Sequence, residues 1–138
     1  MKRIAATLAA ALLPLCAWAD GTIKSSIKDS ETNSVTEIIA DTKGRVLKKT
    51  QFFFDDRKLV KGAIHFDAKG GVRYKEVFKN DGKSVVLQTW LYSAEDKVLG
   101  HRNFQYDAKG KVVKVDDFDA TGRLLPAGQR ALPGQGRR

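Results

Sequence analysis

The stretch YDAKGKVVKVDDFDATG, residues 106–122, contains one complete strand between two turns of the same kind. Each turn begins with an aromatic residue and an aspartate, and a glycine follows the aspartate three positions later. Aspartate at the first position and glycine at the last favour a type I turn that closes a short hairpin loop. The residues between the turns are rich in valine, which favours extended structure. This stretch therefore predicts a β-strand with a tight turn at each end.

Turns of this kind recur along the chain at nearly constant spacing. Successive turn signals are 12 or 14 residues apart, which leaves room for one strand of about 8–9 residues and its turn. The acidic residues that mark the turns are Asp41, Asp55, Asp67, Asp81, Glu95, Asp107 and Asp119. The sequence therefore predicts an all-β fold, an antiparallel up-and-down meander of about 7–8 strands that forms a curled single sheet or a small barrel.

Aromatic residues lie at or near most of these turns, and the spacing between them is always even. If each hairpin keeps its register, even spacing places all of them on one face, where they would form a cross-strand aromatic core. The six residues are Phe54, Phe66, Phe78, Tyr92, Tyr106 and Phe118. One strand is apolar on both faces, and its residues Trp90 and Tyr92 are the candidate aromatic contacts for a ligand or partner.

Residues 1–19 have the layout of a helical secretory signal peptide. A positively charged start is followed by an apolar run over residues 4–15 and by a small residue at Ala19, the position before a cleavage site. We therefore expect cleavage after Ala19 and a periplasmic protein with no membrane-spanning segment. Lipidation of Cys16 is not expected, because Leu15 is larger than the residue that normally precedes a lipidated cysteine.

The chain that remains after cleavage is long enough for one small domain. Residues 20–125 carry the repeated turns and predict a single β-meander repeat domain with a modest core. Residues 126–138 are rich in proline, glycine and arginine, and they predict a disordered basic tail.

Basic residues outnumber acidic ones by 23 to 16 after cleavage, and they are spread over many predicted strands. A positively charged sheet face would attract an anionic polymer of the cell envelope. Nucleic acid is not expected as a partner in that compartment. The residues of this candidate polyanion face are Lys61, Arg73, Lys75, Lys111 and Lys114.

No motif of an enzyme or of a metal site accompanies the repeat. His65 and His101 are the only histidines, and neither has a ligand partner at metal-binding spacing. The sequence contains no nucleophile elbow and no phosphate-binding loop. We therefore expect a protein that is not an enzyme, with no catalytic residues, no metal site and no cofactor.

Two stretches of the repeat resemble a known kind of hairpin array. Residues 106–124 and the shorter stretch 66–72 are similar to YD (Rhs-type) repeats and to the related MORN-like repeats of YwqK-type antitoxin proteins. The resemblance covers roughly residues 38–125, and residues 91–96 depart from the motif. It implies a β-hairpin array that binds, encloses or scaffolds a partner without catalytic residues. An envelope-directed antitoxin or immunity-like protein is one function that it implies.

The leading hypothesis is a secreted, non-enzymatic module that binds a protein partner or an anionic envelope polymer. The alternative is a small-ligand carrier, which requires the strands to close into an apolar barrel. Closure would pair the first strand, about residues 33–40, with the last, about residues 112–125, above a cavity beneath Trp90. An open sheet would instead leave free edges, through which a homodimer could form by strand pairing.

Overall fold

The computed structural model describes residues 16–17, 21–83 and 85–133. In these residues the chain forms nine antiparallel strands and no helix, and the strands lie side by side in sequence order. The strands are β1 (Cys16–Ala17), β2 (Thr22–Asp29), β3 (Ser34–Asp41), β4 (Val46–Phe54), β5 (Val60–Phe66), β6 (Val72–Asn80), β7 (Val86–Ser93), β8 (Val98–Tyr106) and β9 (Val112–Asp119). The predicted all-β up-and-down meander is confirmed.

The predicted signal peptide lies outside the described residues, apart from Cys16 and Ala17. These two residues form β1, which pairs with Lys24 and Ile23 at the beginning of β2. The rest of the outer edge of β2 has no neighbouring strand in the described part of the chain.

The sheet is open and consists of a single layer. Among the described residues, each strand contacts only its neighbours in the sheet, so the first and last strands do not meet and no barrel forms. The carrier alternative required that closure. With no second layer of strands over either face, few side chains are buried. The eight buried residues are Ser34, Thr50, Ala63, Tyr74, Glu76, Thr89, Leu91 and Gly100.

Seven turns in the described residues share one hydrogen-bond pattern, which explains the repeated motif. At Asp107, the carboxylate oxygen Oδ1 accepts the backbone N–H groups of Lys109 and Lys111, each at 2.9 Å. Gly110 adopts a left-handed conformation with φ of 79°, which glycine tolerates because it has no Cβ. The residues that begin the seven turns are Asp41, Asp55, Asp67, Asp81, Ser93, Asp107 and Asp119.

The same hydrogen bonds favour the ionised form of the turn carboxylates. The Thr121 hydroxyl, with the backbone N–H of Arg123, lowers the pKa of Asp119 to about 2. The backbone N–H of Arg45 likewise lowers the pKa of Asp41. The carboxylates of Asp41 and Asp119 therefore stay ionised, and continue to accept these hydrogen bonds, at a lower pH than an ordinary aspartate would.

Ser93, not Glu95, begins the fifth turn. The hydroxyl oxygen of Ser93 accepts the N–H groups of Glu95 and Lys97, each at 3.2 Å. The assignment of this turn to Glu95 is therefore wrong. The Ser93 hydroxyl accepts the backbone hydrogen bonds that an aspartate carboxylate accepts in the other six turns. With Ser93 in place, the spacing between turns alternates between 14 and 12 residues, and the repeating unit is a hairpin of 26 residues.

Each of the six hairpins from β3 to β9 contains a bulge, which is one residue with no partner on the neighbouring strand. In the β4–β5 hairpin, Phe54 pairs with Val60 and Phe53 pairs with Gly62, so Lys61 is left over. An extra residue of this kind reverses the alternation of side chains between the two faces. The corresponding residues of the other hairpins are Leu47, Arg73, Leu87, Leu99 and Val113.

The aromatic residues near the turns consequently lie on both faces of the sheet. The prediction that all six share one face is wrong, because even spacing preserves a face only when the hairpin has no bulge. Phe54, Phe78 and Tyr106 lie on one face, and Phe66, Tyr92 and Phe118 lie on the other.

The two faces are named here by their main features. Seven of the eight buried residues lie on one face, the covered face, where a C-terminal segment of residues 126–133 packs against the sheet. The opposite face, the ladder face, carries the ring side chains of Trp90, His101 and Phe118. Ser34 is the one buried residue of the ladder face.

Candidate functional surfaces

A buried polar cluster occupies the middle of the covered face. His65 Nδ1 lies 3.3 Å from Thr50 Oγ1, and His65 Nε2 lies 2.9 Å from Glu76 Oε1. The contact of Nε2 with Glu76 lacks hydrogen-bond geometry. The ring of Tyr74 stacks on the ring of His65 with 4.2 Å between centroids.

The sequence did not predict that His65 and Glu76 would meet. They lie 11 residues apart, on the two strands joined by the turn at Asp67. A bulge after that turn pairs His65 with Tyr74, which places Glu76 two residues further along the same face. The register of this hairpin is the signal that could have revealed the contact. Since Thr50 is only 2% exposed, the geometry favours an internal structural cluster.

Burial raises the pKa of Tyr74 above its ordinary value of 10.0, and the carboxylate of Glu76 raises this pKa further. The guanidinium groups of Arg130 and Arg73 act in the opposite direction. Tyr74 is therefore a neutral hydroxyl at physiological pH.

The C-terminal segment supplies cationic and backbone contacts to this cluster. Arg130 Nη2 lies 3.9 Å from Glu76 Oε1, and both side chains are largely buried, at 27% and 8% exposed. Arg73 Nη2 donates a hydrogen bond to the carbonyl oxygen of Pro133 at 3.4 Å. Two strand residues therefore hold the segment at two points.

Gly100 provides the space in which the segment packs. A Cβ added at Gly100 would come within 2.7 Å of the Ala131 Cβ, so the segment approaches β8 more closely than a side chain would allow. Residues 126–133 belong to the disordered tail predicted from Pro126 onward, and in the structure they lie against β6 and β8. The low apolar content of this tail did not indicate that it would pack on Gly100, which has no side chain, and beside the buried carboxylate of Glu76. Residues 134–138 lie outside the described residues.

The ladder face carries a row of stacked rings. Trp90, His101 and Phe118 are direct neighbours across β7, β8 and β9, with ring centroids 4.7 Å and 4.5 Å apart. From β6, the ammonium group of Lys79 lies 5.4 Å from the centroid of the Trp90 ring. Because protein groups lie against the ring faces, this row fits a cross-strand aromatic core better than an open stacking platform.

The two candidate ligand aromatics, Trp90 and Tyr92, both lie on the ladder face. Trp90 Nε1 donates to Gln88 Oε1 at 2.5 Å, which fixes the indole within the row. Tyr92 lies between Lys75 on β6 and Val98 on β8. The structure thus places both rings on one face and gives Trp90 a structural role.

The five residues of the predicted polyanion face do not form one patch. They lie at the beginnings of three strands: Lys61 on β5, Arg73 and Lys75 on β6, and Lys111 and Lys114 at β9. Because neighbouring strands are about 4.8 Å apart, β6 and β9 are separated by roughly 14 Å. Two of the charges are also paired, Lys75 with Asp96 at 2.8 Å and Lys114 with Asp116 at 3.2 Å.

β9 forms an edge of the sheet with exposed apolar side chains. On its outer side, pairing by described residues is confined to the end of the strand, where Phe118 pairs with Leu124 and the Leu125 N–H donates to the Asp117 carbonyl. The outer edge over residues 112–116 therefore has no partner in the described chain. Its exposed side chains are those of Val112, Val113 and Val115, at 41%, 62% and 40%.

Within the described part of the chain, no three metal-binding side chains come together, and no helix is long and apolar enough to cross a membrane. No protein-family model matches the chain, and no curated protein matches it significantly.

Proposed function

We propose that this protein is a non-enzymatic binding module of the cell envelope, which binds a protein partner by accepting a strand at the outer edge of β9. The observation that carries this proposal is the unpaired edge over residues 112–116 beside three exposed valines. A free edge presents a row of N–H and C=O groups, and an extended peptide binds by continuing the ladder.

The side chains of β9 indicate what kind of strand fits there. Val115 lies on the covered face beside Phe104, whereas Lys114 and Asp116 lie on the ladder face. A partner strand with apolar residues at alternate positions would pack against the valines and expose its polar residues beside Lys114 and Asp116. Favourable cross-strand pairs contribute about 0.2–1 kcal/mol each, so several pairs are needed for a stable complex.

The sequence supports an envelope location for this module, through the predicted signal peptide. Cleavage after Ala19 would remove β1 from the outer edge of β2. The mature protein would then have two open edges. A second copy of this chain or an envelope-directed toxin is compatible with strand addition, and the experiment below distinguishes a self-complex from a complex with another protein.

The other predicted partners receive less support from the geometry. An anionic polymer would need a continuous basic surface, and the candidate residues lie on strands as far apart as β5 and β9. A carrier of the closed-barrel kind would need pairing between the first and last strands, and the described sheet is open. Edge binding needs neither feature.

The proposal is tested by photo-crosslinking in intact cells. A photoreactive amino acid replaces Val113 at the edge in one variant and Val115 in a second. The matched control carries it at Val77, which is 43% exposed in the middle of the ladder face. We expect a discrete adduct from the two edge positions and none from the control position.

Mass spectrometry of the adduct shows whether the partner is a second copy of the chain or another protein. A lysine at Val115 should abolish the adduct formed from position 113, because an inserted charge opposes strand addition. Equal adducts from the edge and from Val77, or no adduct from either edge position, would contradict the proposal.

A further inference from the structure

A cavity of about 210 Å³ lies at the corner of the sheet where the β2–β3 turn meets the β4–β5 turn. At about 30 Å³ per water molecule in the liquid, this volume corresponds to roughly seven waters. Its size suits a small organic molecule. The lining residues are Lys28, Asn33, Ser34, Val35, Phe54 and Lys58.

At this corner the β2–β3 hairpin differs from the six hairpins between β3 and β9. β2 and β3 pair without a bulge as far as Asp29 and Ser34, and Asn33 takes a left-handed conformation with φ of 50°. The side chain of Asn33 donates to the carbonyl oxygens of Phe54 at 2.9 Å and Asp55 at 3.2 Å. One asparagine thus joins the two turns and holds the walls of the cavity in place.

Two cations at this corner have no anionic partner. The ammonium groups of Lys28 and Lys58 make no ion pair and no hydrogen bond with any residue that the structure describes. Two neighbouring carboxylates, Asp29 and Asp55, each accept two backbone N–H groups of their own turns. The other two, Glu31 and Asp56, are exposed to solvent, and neither forms an ion pair with Lys28 or Lys58. Hydrogen bonds from Thr32 lower the pKa of Asp29. Asp29 and Asp55 are therefore engaged within their turns, and no carboxylate among the described residues pairs with either lysine.

The remaining lining is apolar or already bonded. Val35 and Phe54 contribute apolar surface, and both are partly buried. The hydroxyl of Ser34 is 2% exposed and already bonds Thr32 Oγ1 at 2.7 Å and Gln51 Nε2 at 3.0 Å. A ligand would therefore meet positive charge at the rim and apolar surface inside.

From this combination we infer that the cavity binds a small amphipathic anion, a carboxylate carried by an aromatic or branched aliphatic body. The lysines bind the carboxylate as point charges, and Val35 and Phe54 contact the body. The site lies on β2 to β5, away from β9, and it does not depend on the proposed edge interaction.

The inference is tested with benzoate as the probe, in an NMR titration of the mature protein. We expect benzoate to shift the backbone amide signals of Asn33, Val35 and Lys58 in a saturable way. Benzyl alcohol has the ring without the charge, and inorganic phosphate has charge without the apolar body, so both should bind at least tenfold more weakly. If benzyl alcohol or inorganic phosphate bound with the same affinity as benzoate, the inference would be overturned.

The double variant Lys28→Gln/Lys58→Gln should lower the affinity for benzoate about tenfold or more, since loss of a charge-assisted contact has an effect of this size. The control is Lys48→Gln, an exposed lysine of β4 outside the cavity, which should leave the affinity unchanged. Unchanged thermal unfolding would show that both variants remain folded. An equal loss in the control, or no loss in the double variant, would also overturn the inference. Crosslinking from Val113 should be unaffected in either variant, so the two proposals can fail separately.

Discussion

The covered face and the ladder face are built from the same 26-residue hairpin, yet seven of the eight buried residues lie on the covered face. On the covered face, residues 126–133 return to the sheet over Glu76 and Gly100. On the ladder face the rings of Trp90, His101 and Phe118 pack against one another. Val77, in the centre of this face, is 43% exposed. In a sheet of one layer, burial depends on which segment of chain returns to a face. The strand pattern alone does not decide it.

The faces also differ in how their contacts work. The covered face combines a buried contact between His65 and Glu76, a stacked tyrosine and a close backbone approach, all of which need accurate positions. The ladder face depends on ring stacking between adjacent strands, which tolerates small shifts. We therefore expect substitutions on the covered face to have larger effects on stability than substitutions on the ladder face.

The largest effect is expected at Leu91, the largest fully buried side chain among the described residues, at 1% exposed. Leu91→Ala should lower the free energy of unfolding by about 2–4 kcal/mol, because it removes buried methyl groups and leaves a cavity. Val77→Ala on the ladder face should lower it by only about 0.5 kcal/mol. Chemical denaturation measures both values. Equal losses would show that the ladder face is covered in solution.

A similar contrast is expected between two glycines. In Gly100→Ala the new methyl group would overlap the carbonyl oxygen of Phe118 and press on Ala131, so a loss of about 2–3 kcal/mol is expected. In Gly62→Ala the nearest atom is the carbonyl oxygen of Glu76 at 3.1 Å, and a loss below about 1 kcal/mol is expected from a small shift. Thermal unfolding of both variants tests this order. A reversed order would be inconsistent with the packing of Ala131 on β8.

Removing the charge of Glu76 should release the C-terminal segment. Glu76→Gln weakens the attraction to Arg130 and changes the contact with His65, and we expect a loss of about 1–2 kcal/mol in stability. Trypsin should also cleave after Arg130 faster than in the unmodified protein. Glu37→Gln, which removes an exposed pair with Lys24, is the control and should cost less than about 0.5 kcal/mol. Unchanged cleavage after Arg130 would refute this role of Glu76.

A smaller effect is expected on the ladder face, in a double-mutant cycle of Trp90→Ala and His101→Ala. Stacking should appear as a coupling of about 0.5–1.5 kcal/mol between the two positions. A cycle of Trp90→Ala with His65→Ala, which lies on the other face, should be additive within about 0.5 kcal/mol. Coupling of similar size in both cycles would mean that the faces are not independent.

The smallest effect concerns pH and Tyr74. Its raised pKa means that the folded state retains a proton that the unfolded state has lost, so stability is full below pH 10.0 and declines as the pH rises through the raised pKa. Tyr74→Phe should remove this part of the alkaline decline. Glu76→Gln should move the pKa of Tyr74 back towards its ordinary value, as followed by ultraviolet absorbance of the tyrosinate. A pKa that does not change would show that Glu76 does not contribute to the shift.

The turns could be predicted from sequence because their chemistry is local. Asp107 binds N–H groups only two and four residues away, so the residue types themselves specify the turn. The turn at Ser93 was not predicted, because serine is common throughout protein sequences and does not mark a turn by itself. Its hydroxyl nevertheless accepts the same hydrogen bonds as the aspartate carboxylate of the other turns. The positions of the bulges could not be predicted from the sequence, because the unpaired residues are as different as Leu47, Lys61 and Arg73.

The sequence by itself determined the antiparallel hairpins from β3 to β9 and the order of their strands, because these depend on turns of a few residues and on β-forming side chains between them. The strand β2 and its pairing with β3 lie before the first predicted turn and were not predicted. Only the tertiary structure decided which aromatic residues share a face, that His65 meets Glu76, that the sheet stays open, and that residues 126–133 cover one side of it. Each of these depends on register or on contact between distant parts of the chain. A one-residue change in register moves a side chain to the opposite face while leaving the local sequence signals unchanged.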